Sequence, residues 1–132
     1  MVDHDASAIP PDDAIDIDVP LRASHAATVR LLIASLGADA GFSIDEIDDL
    51  KLAVSEVFTL LTENAPADGN HRARLRLLIE GPSFVIELRD DRSPAPIELD
   101  PLSATILASV TDEHQVDVHG VRLVKRLAES TV

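Results

Sequence analysis

The sequence predicts an α+β fold, a two-layer sandwich in which helices cover one face of a mostly antiparallel sheet. Apolar residues recur with helical spacing between residues 43 and 64, which indicates a long amphipathic helix. In residues 73–79 and 84–89, apolar side chains recur at every second position on either side of Gly81-Pro82, which indicates a β-hairpin. The predicted order of elements is β-α-α-β-β-α-β-β.

The length of 132 residues suits one domain with a single core. Residues 1–14 are rich in Asp, Pro and Ala and have little periodicity, so we expect a flexible acidic leader there. Residues 15–132 then form the folded domain.

The first two elements follow the leader directly. Ile15–Val19 alternates apolar and polar residues, which predicts a strand, and Pro20 ends it. Ser24 is the expected N-cap of the first helix, and Gly37 with Gly41 provides its exit. The apolar stripe of this helix is Ala26, Val29, Leu32, Ile33 and Leu36.

The second helix has the clearest start signal in the chain. Ser43 is followed three residues later by Glu46, the pattern of a capping box. The helix is expected to end near Asn64. Its apolar stripe is Ile47, Leu50, Val54, Val57 and Leu61.

The C-terminal third contains a loop, a helix and an ambiguous segment. Two prolines and little periodicity make Asp90–Asp100 a loop, and Leu102–Val110 has a helical pattern. Val121–Leu127 fits a helix, but it also fits a strand that pairs with Gln115–Val118 across His119-Gly120. The valines and the glycine favour the hairpin.

Composition excludes several classes of function. The net charge is −13, and there are three Phe with neither Trp nor Tyr, so nucleic-acid binding through basic patches or base stacking is not expected. There is no Cys, the histidines are scattered without metal-ligand spacing, and no apolar run would span a membrane. We therefore expect a cytoplasmic protein without a metal site, whose acidity suits a basic partner or serves solubility alone.

Several short motifs together resemble a known family. The segment Leu-Ala-Val-Ser-Glu at residues 52–56 resembles the first box of the Bergerat-type ATPase fold, which histidine kinases share with RsbW-like anti-sigma factor kinases. The resemblance extends from Ile15 to Leu127. Its motifs lie at residues 29–36, 40–43, 52–56, 88–90, 111–113 and 121–127.

The resemblance places four residues of this chain at positions of a nucleotide site. Glu56 corresponds to the catalytic base, here expected to be vestigial, and Asp90 corresponds to the residue that binds adenine. Leu60 stands where the family has the Asn that holds Mg²⁺, and Asn64 stands where a His is common. An aliphatic side chain has no lone pair for a hard cation. Taken without the resemblance, Glu56 is a solvated charge and Asp90 a turn-capping side chain.

The phosphate-binding boxes are degenerate as well. The second box of the family reads Asp-x-Gly-x-Gly, but Arg92 and Pro94 replace its two glycines. The third box is Gly-rich, and its nearest match, residues 101–104, contains no glycine. The joint loss predicts a nucleotide site that no longer supports catalysis, so no cofactor is expected.

The resemblance implies an anti-sigma factor that sequesters a sigma factor of RNA polymerase and is released by an anti-anti-sigma partner of the STAS type. A homodimer is expected, without direct contact to nucleic acid or membrane. Candidate partner contacts on the exposed face of the first helix are Arg22, His25 and Arg30. The alternative is an active serine kinase that uses ATP and Mg²⁺, with Glu56 as base, Asp90 on adenine, and Asn64 or Glu63 as the metal ligand.

Overall fold

The computed structural model describes residues 14–66 and 70–128, and the predicted α+β sandwich is confirmed within them. The sheet is antiparallel throughout, with strand order β1-β2-β3-β5-β4. Its strands are β1 (Ile15–Pro20), β2 (Arg72–Glu80), β3 (Ser83–Arg89), β4 (Glu113–Val116) and β5 (Gly120–Arg126). The helices are α1 (Ala26–Asp39), α2 (Ile44–Asn64) and α3 (Pro101–Val110), and a 3₁₀ turn covers Ala23–His25.

The core lies between the helices and one face of the sheet. Alternate residues of each strand point to this side, because successive side chains of a strand point to opposite faces. The fully buried side chains include Ile33, Phe58, Leu75, Ile86 and Leu123, which come from two helices and the three central strands. The opposite side, called the open face below, carries charged side chains that include Asp16, Arg76, Glu87 and Arg122.

The predicted start of α2 is confirmed, whereas that of α1 is wrong. Ser43 Oγ accepts a hydrogen bond from the Glu46 amide, and Glu46 Oε1 accepts one from the Ser43 amide. Ser24 instead lies inside the 3₁₀ turn, and His25 occupies the N-cap of α1 without a side-chain cap. Gly37 is a buried residue inside α1, so Gly41, with φ of 92°, alone forms the predicted exit.

Both predicted hairpins are confirmed. Gly81-Pro82 joins β2 to β3, and Gly81 adopts the left-handed φ of 56° that this turn needs. The C-terminal segment is the strand pair β4–β5, but its turn lies at residues 117–119 and Gly120 is already the first residue of β5. Gly120 is required there by close packing, since a Cβ would overlap the carbonyl oxygen of Leu88 on β3.

The predicted leader falls on residues outside the described ranges, except for Ala14. Ala14 precedes β1 and packs against an apolar cluster on the open face formed by Leu78, Val85 and Val124. Within the described ranges, no helix combines the length and the apolar character that a membrane crossing requires.

Candidate functional site

Glu56 lies on the flank of α2 and accepts a hydrogen bond from the start of α3. Ser103 Oγ donates to Glu56 Oε2 over 2.6 Å, and Ser103 is buried. Asp100 holds this end of α3 in place, because its side chain accepts a hydrogen bond from the Ser103 amide. The interpretation of Glu56 as a freely solvated charge is therefore wrong, and no sequence pattern indicates its serine partner.

Leu60 follows Glu56 by one turn of α2, at the position where the family has its metal-binding Asn. Its half-buried side chain packs against the main apolar core. Packing of this kind gives the site a hydrophobic wall and no oxygen ligand for Mg²⁺.

Asn64, the last residue of α2, binds the loop that follows β3. Its Nδ2 donates to Ser93 Oγ over 2.9 Å, and Ser93 Oγ donates in turn to the carbonyl oxygen of Ala95 over 2.6 Å. An amide side chain that is engaged in this way holds the loop against α2. It is the second link between α2 and the segment from Arg92 to Ser103.

Asp90 is almost completely buried at the end of β3, with 2% of its surface exposed. Its Oδ2 lies 2.6 Å from Nδ1 of the equally buried His71, and its Oδ1 accepts a hydrogen bond from the Arg92 amide. Its backbone amide donates to the carbonyl of His119. Both carboxylate oxygens thus have internal partners, and Asp90 caps the turn as its sequence context suggested.

The loop between Asp90 and α3 is folded back onto the protein. Ile97 is 4% exposed and belongs to the main core, and its amide donates to the carbonyl oxygen of Val118 over 3.1 Å. No described residue other than glycine has positive φ, so Arg92 and Pro94 do not reproduce the geometry that the two glycines of the family box permit. The loop has a packed conformation of its own.

These contacts place the candidate residues along one seam, where the segment from Arg92 to Ser103 meets α2 and the end of β3. Glu56 and Asn64 lie about 12 Å apart along α2, from the helical rise of 1.5 Å per residue. The three residues do not bond to one another, since each has a separate partner: Ser103 for Glu56, Ser93 for Asn64 and His71 for Asp90. The arrangement closes the seam with polar links and does not present a set of convergent catalytic groups.

An ion-pair cluster lies beside the seam, at the turn between β4 and β5. Arg89 NH1 donates to Asp117 Oδ2 over 2.7 Å, and Asp117 Oδ1 accepts from the amides of His119 and Gly120. Partial burial raises the pKa of Asp117, but these hydrogen bonds and the Arg89 charge outweigh it, and the net shift is downward. Ionised Asp117 therefore stabilises the turn whose His119 carbonyl holds Asp90.

The residues expected to contact a partner are not all on the first helix. Arg22 is exposed and precedes the 3₁₀ turn, and His25 is half-buried at the end of that turn. Arg30 lies in α1, but it is half-buried and its NH1 donates to Ser55 Oγ on α2 over 3.3 Å. The placement on an exposed helix face is thus wrong for Arg22 and His25, and Arg30 links the two helices.

Comparison with known proteins identifies the family of this chain. The model of the histidine kinase-like ATPase domain matches residues 19–131, which is most of the chain. The chain belongs to this family. The RsbU and RsbW domains of Rv1364c from Mycobacterium tuberculosis superpose on this histidine kinase-like domain with a TM-score of 0.65. That superposition covers 88% of the chain and 34% of the other at 15% identity, so it supports the fold alone.

Among curated proteins, this histidine kinase-like domain is similar to the serine-protein kinases RsbW of Bacillus cereus strain AH187 and Bacillus thuringiensis strain Al Hakam. Each is 34% identical over 53 residues, which is 40% of this chain. The similarity spans a third of the length of these relatives. The predicted membership of the family is therefore confirmed.

Proposed function

We propose that this protein is an anti-sigma factor-like regulator that binds and sequesters a sigma factor without using ATP. An anti-anti-sigma partner of the STAS type would release the sigma factor. The family membership and the similarity to the RsbW kinases support the class of protein. The state of the nucleotide site supports binding without catalysis.

The observation that carries the proposal is that all three candidate site residues already have internal partners. A nucleotide would have to displace Ser103 from Glu56 and Ser93 from Asn64, and adenine would compete with His71 for Asp90. Hydrogen bonds to charged groups contribute about 1.5–3 kcal/mol each, so nucleotide binding would start with a substantial cost. Leu60 offers no metal coordination in return.

The charge distribution supports a basic partner on the helical side. The open face is close to neutral, because its arginines are paired with acidic residues, as in Arg72 with Asp18 and Arg76 with Asp16. On the helical side, α2 carries six acidic residues and one basic residue, Lys51, so within the described ranges an excess of negative charge lies away from the open face. Complementary charge accelerates association and favours a basic surface of a sigma factor.

The deciding experiment has two arms. Titration of ATP and ADP, with and without Mg²⁺, is expected to leave the melting temperature unchanged, whereas a ligand at a hundredfold excess over Kd adds about 2.7 kcal/mol of stability. Sigma factors from the host are titrated separately, and the protein is expected to form a stoichiometric complex with one of them. A Mg²⁺-dependent thermal shift, or no complex with any sigma factor, would contradict the proposal.

One observation favours the kinase alternative. Glu56 accepts a hydrogen bond from a serine hydroxyl, which is the arrangement that a general base needs to activate a serine substrate. Incubation of the protein with radiolabelled ATP and a STAS-domain protein tests this directly. Phosphate transfer that is lost in Glu56→Gln would establish the kinase, and absence of transfer would exclude it for that substrate.

A further inference from the structure

A row of polar side chains crosses the open face at right angles to the strands. The register places Arg76 of β2 opposite Glu87 of β3, and Glu87 opposite Arg122 of β5. Asp16 on β1 and Gln115 on β4 complete the row. Its central member, Glu87, is only 4% exposed, so a carboxylate is buried in the middle of this face.

Two atoms of this row are buried and have no hydrogen-bond partner within the described ranges. They are Oε1 of Glu87, an acceptor, and Nε of Arg122, a donor. The other carboxylate oxygen, Glu87 Oε2, lies 3.8 Å from Arg122 Nε, which is too far for a hydrogen bond. An unsatisfied buried polar atom is unfavourable, and two of opposite polarity lie side by side here.

Both side chains line one concavity of about 150 Å³ between β3, β5 and β4. Gln115 and Val116 form its wall on β4. Arg89 also lines it but is engaged with Asp117 and Asp91. On the other side of Glu87, Arg76 makes two hydrogen bonds to Asp16, so neither neighbouring guanidinium is placed to satisfy Glu87 Oε1.

The chemistry of the two atoms selects the ligand. The lining carries two acidic and two basic side chains, Glu87 and Asp117 with Arg89 and Arg122, so a charged ligand would meet a like charge as well as an opposite one. A neutral group that carries a donor and an acceptor side by side satisfies both atoms. A primary carboxamide is such a group, because its NH₂ can donate to Glu87 Oε1 while its oxygen accepts from Arg122 Nε.

We infer that this concavity is a binding site for the carboxamide of an asparagine or glutamine side chain on a partner protein. The partner is favoured over a small free amide because the site lies within the broad open face of the sheet, which a partner surface can cover. A flat partner surface can reach it with a single projecting side chain. The inference is independent of the proposed sigma-factor binding, which concerns the helical side.

The test is an NMR titration of the whole protein that observes the Nε–H signal of Arg122 and the amides around Gln115. The probes are N-acetylglutamine methylamide and, as the charged counterpart, N-acetylglutamate methylamide. The glutamine compound is expected to shift these signals in a saturable way, and the glutamate compound at least tenfold more weakly. Absence of a shift with the glutamine compound, or equal binding of both, would overturn the inference.

Two variants and a third probe sharpen the result. Glu87→Leu is expected to abolish binding, and Arg126→Ala, elsewhere on the open face, to leave it unchanged. Should Glu87→Leu not fold, Glu87→Gln provides the same comparison, since it removes the charged acceptor and should weaken binding at least tenfold. Acetamide that binds as tightly as the glutamine compound would overturn the assignment to a partner side chain and indicate a site for small amides.

Discussion

Ser103, in the first turn of α3, donates its hydroxyl hydrogen to Glu56, a residue that lies 47 positions earlier on α2. The bond length is 2.6 Å, and Ser103 is nearly inaccessible to solvent. The bond fixes the start of α3 onto α2, at the residue that the family resemblance predicts to be the catalytic base. It is therefore both a packing contact and the means by which the seam is closed.

The Glu56–Ser103 bond should be measurable as a coupling energy. Ser103→Ala, Glu56→Ala and the double variant form a cycle, and we expect a coupling of about 1.5–3 kcal/mol because the acceptor is charged. The free energies of unfolding come from urea titrations. A coupling below about 0.5 kcal/mol would show that the bond does not hold α3 in solution.

Restoration of one box residue should not restore nucleotide binding. Leu60→Asn supplies the missing amide oxygen, but Glu56, Asn64 and Asp90 remain bonded to their present partners. We expect no thermal shift with Mg²⁺ and ATP in this variant. The combined Leu60→Asn and Ser103→Ala variant is the matched comparison, and a shift already present with Leu60→Asn alone would mean that the seam opens readily.

Gly120→Ala should be among the most harmful single substitutions in the sheet. The added Cβ would overlap the Leu88 carbonyl oxygen and lie 2.8 Å from Arg89 Cα, so β3 and β5 would have to separate. We expect a loss of at least about 3 kcal/mol, at the upper end for overpacked sites. Gly81→Ala is the control, since its Cβ meets nothing within 4 Å and its positive φ costs about 1–2 kcal/mol. Equal losses in urea unfolding would refute the packing argument.

His71 should be essential for stability although no sequence pattern marked it. His71→Ala leaves Oδ2 of the buried Asp90 side chain without its hydrogen-bond partner, and an unsatisfied buried acceptor costs about 1–3 kcal/mol in addition to the cavity left by the buried ring. Arg72→Ala, at the next position, breaks only the exposed pair with Asp18 and should cost less than about 1 kcal/mol. Similar melting temperatures for the two variants would contradict the assigned importance of the buried pair.

Acid should destabilise the protein partly through Glu46. The Ser43 amide, followed by that of Ala128, donates to the Glu46 carboxylate and holds its pKa below the ordinary value. A carboxyl whose folded pKa is lowered stabilises the fold above its unfolded pKa of about 4.3, and this contribution disappears as the pH falls through the lowered value. The free energy of unfolding should therefore decrease between about pH 5 and pH 3.

Glu46→Gln is the matched variant for this pH dependence. A glutamine at this position still completes a capping box but cannot titrate, so the decrease below about pH 4.3 should become smaller. Urea midpoints measured for both proteins across this range provide the comparison. Parallel curves would mean that the ionised Glu46 contributes nothing to the acid sensitivity.

Local patterns predicted the elements of this fold because they are set by residues close in sequence. The capping box at Ser43, the stripe of α2 and the turn at Gly81 each depend on contacts within a few positions. Ser24 was misjudged because the chain forms a 3₁₀ turn first, in which the His25 amide donates to the Arg22 carbonyl. A helix that begins at Ser24 and a 3₁₀ turn that precedes the helix are both compatible with the local sequence. Tertiary packing selects between them, and packing cannot be read from the sequence.

The sequence by itself determined the family and the α+β order of elements, since both are properties of residue type and spacing. It also shows Leu60, Arg92 and Pro94 at the positions where the resemblance predicts an Asn and two glycines. Only the tertiary structure decided that the remaining candidate site residues form hydrogen bonds with other side chains of the protein. Glu56 with Ser103, Asn64 with Ser93 and Asp90 with His71 are separated by 47, 29 and 19 positions. Such pairs form only when the sheet and helices bring distant segments together, and no local periodicity encodes them.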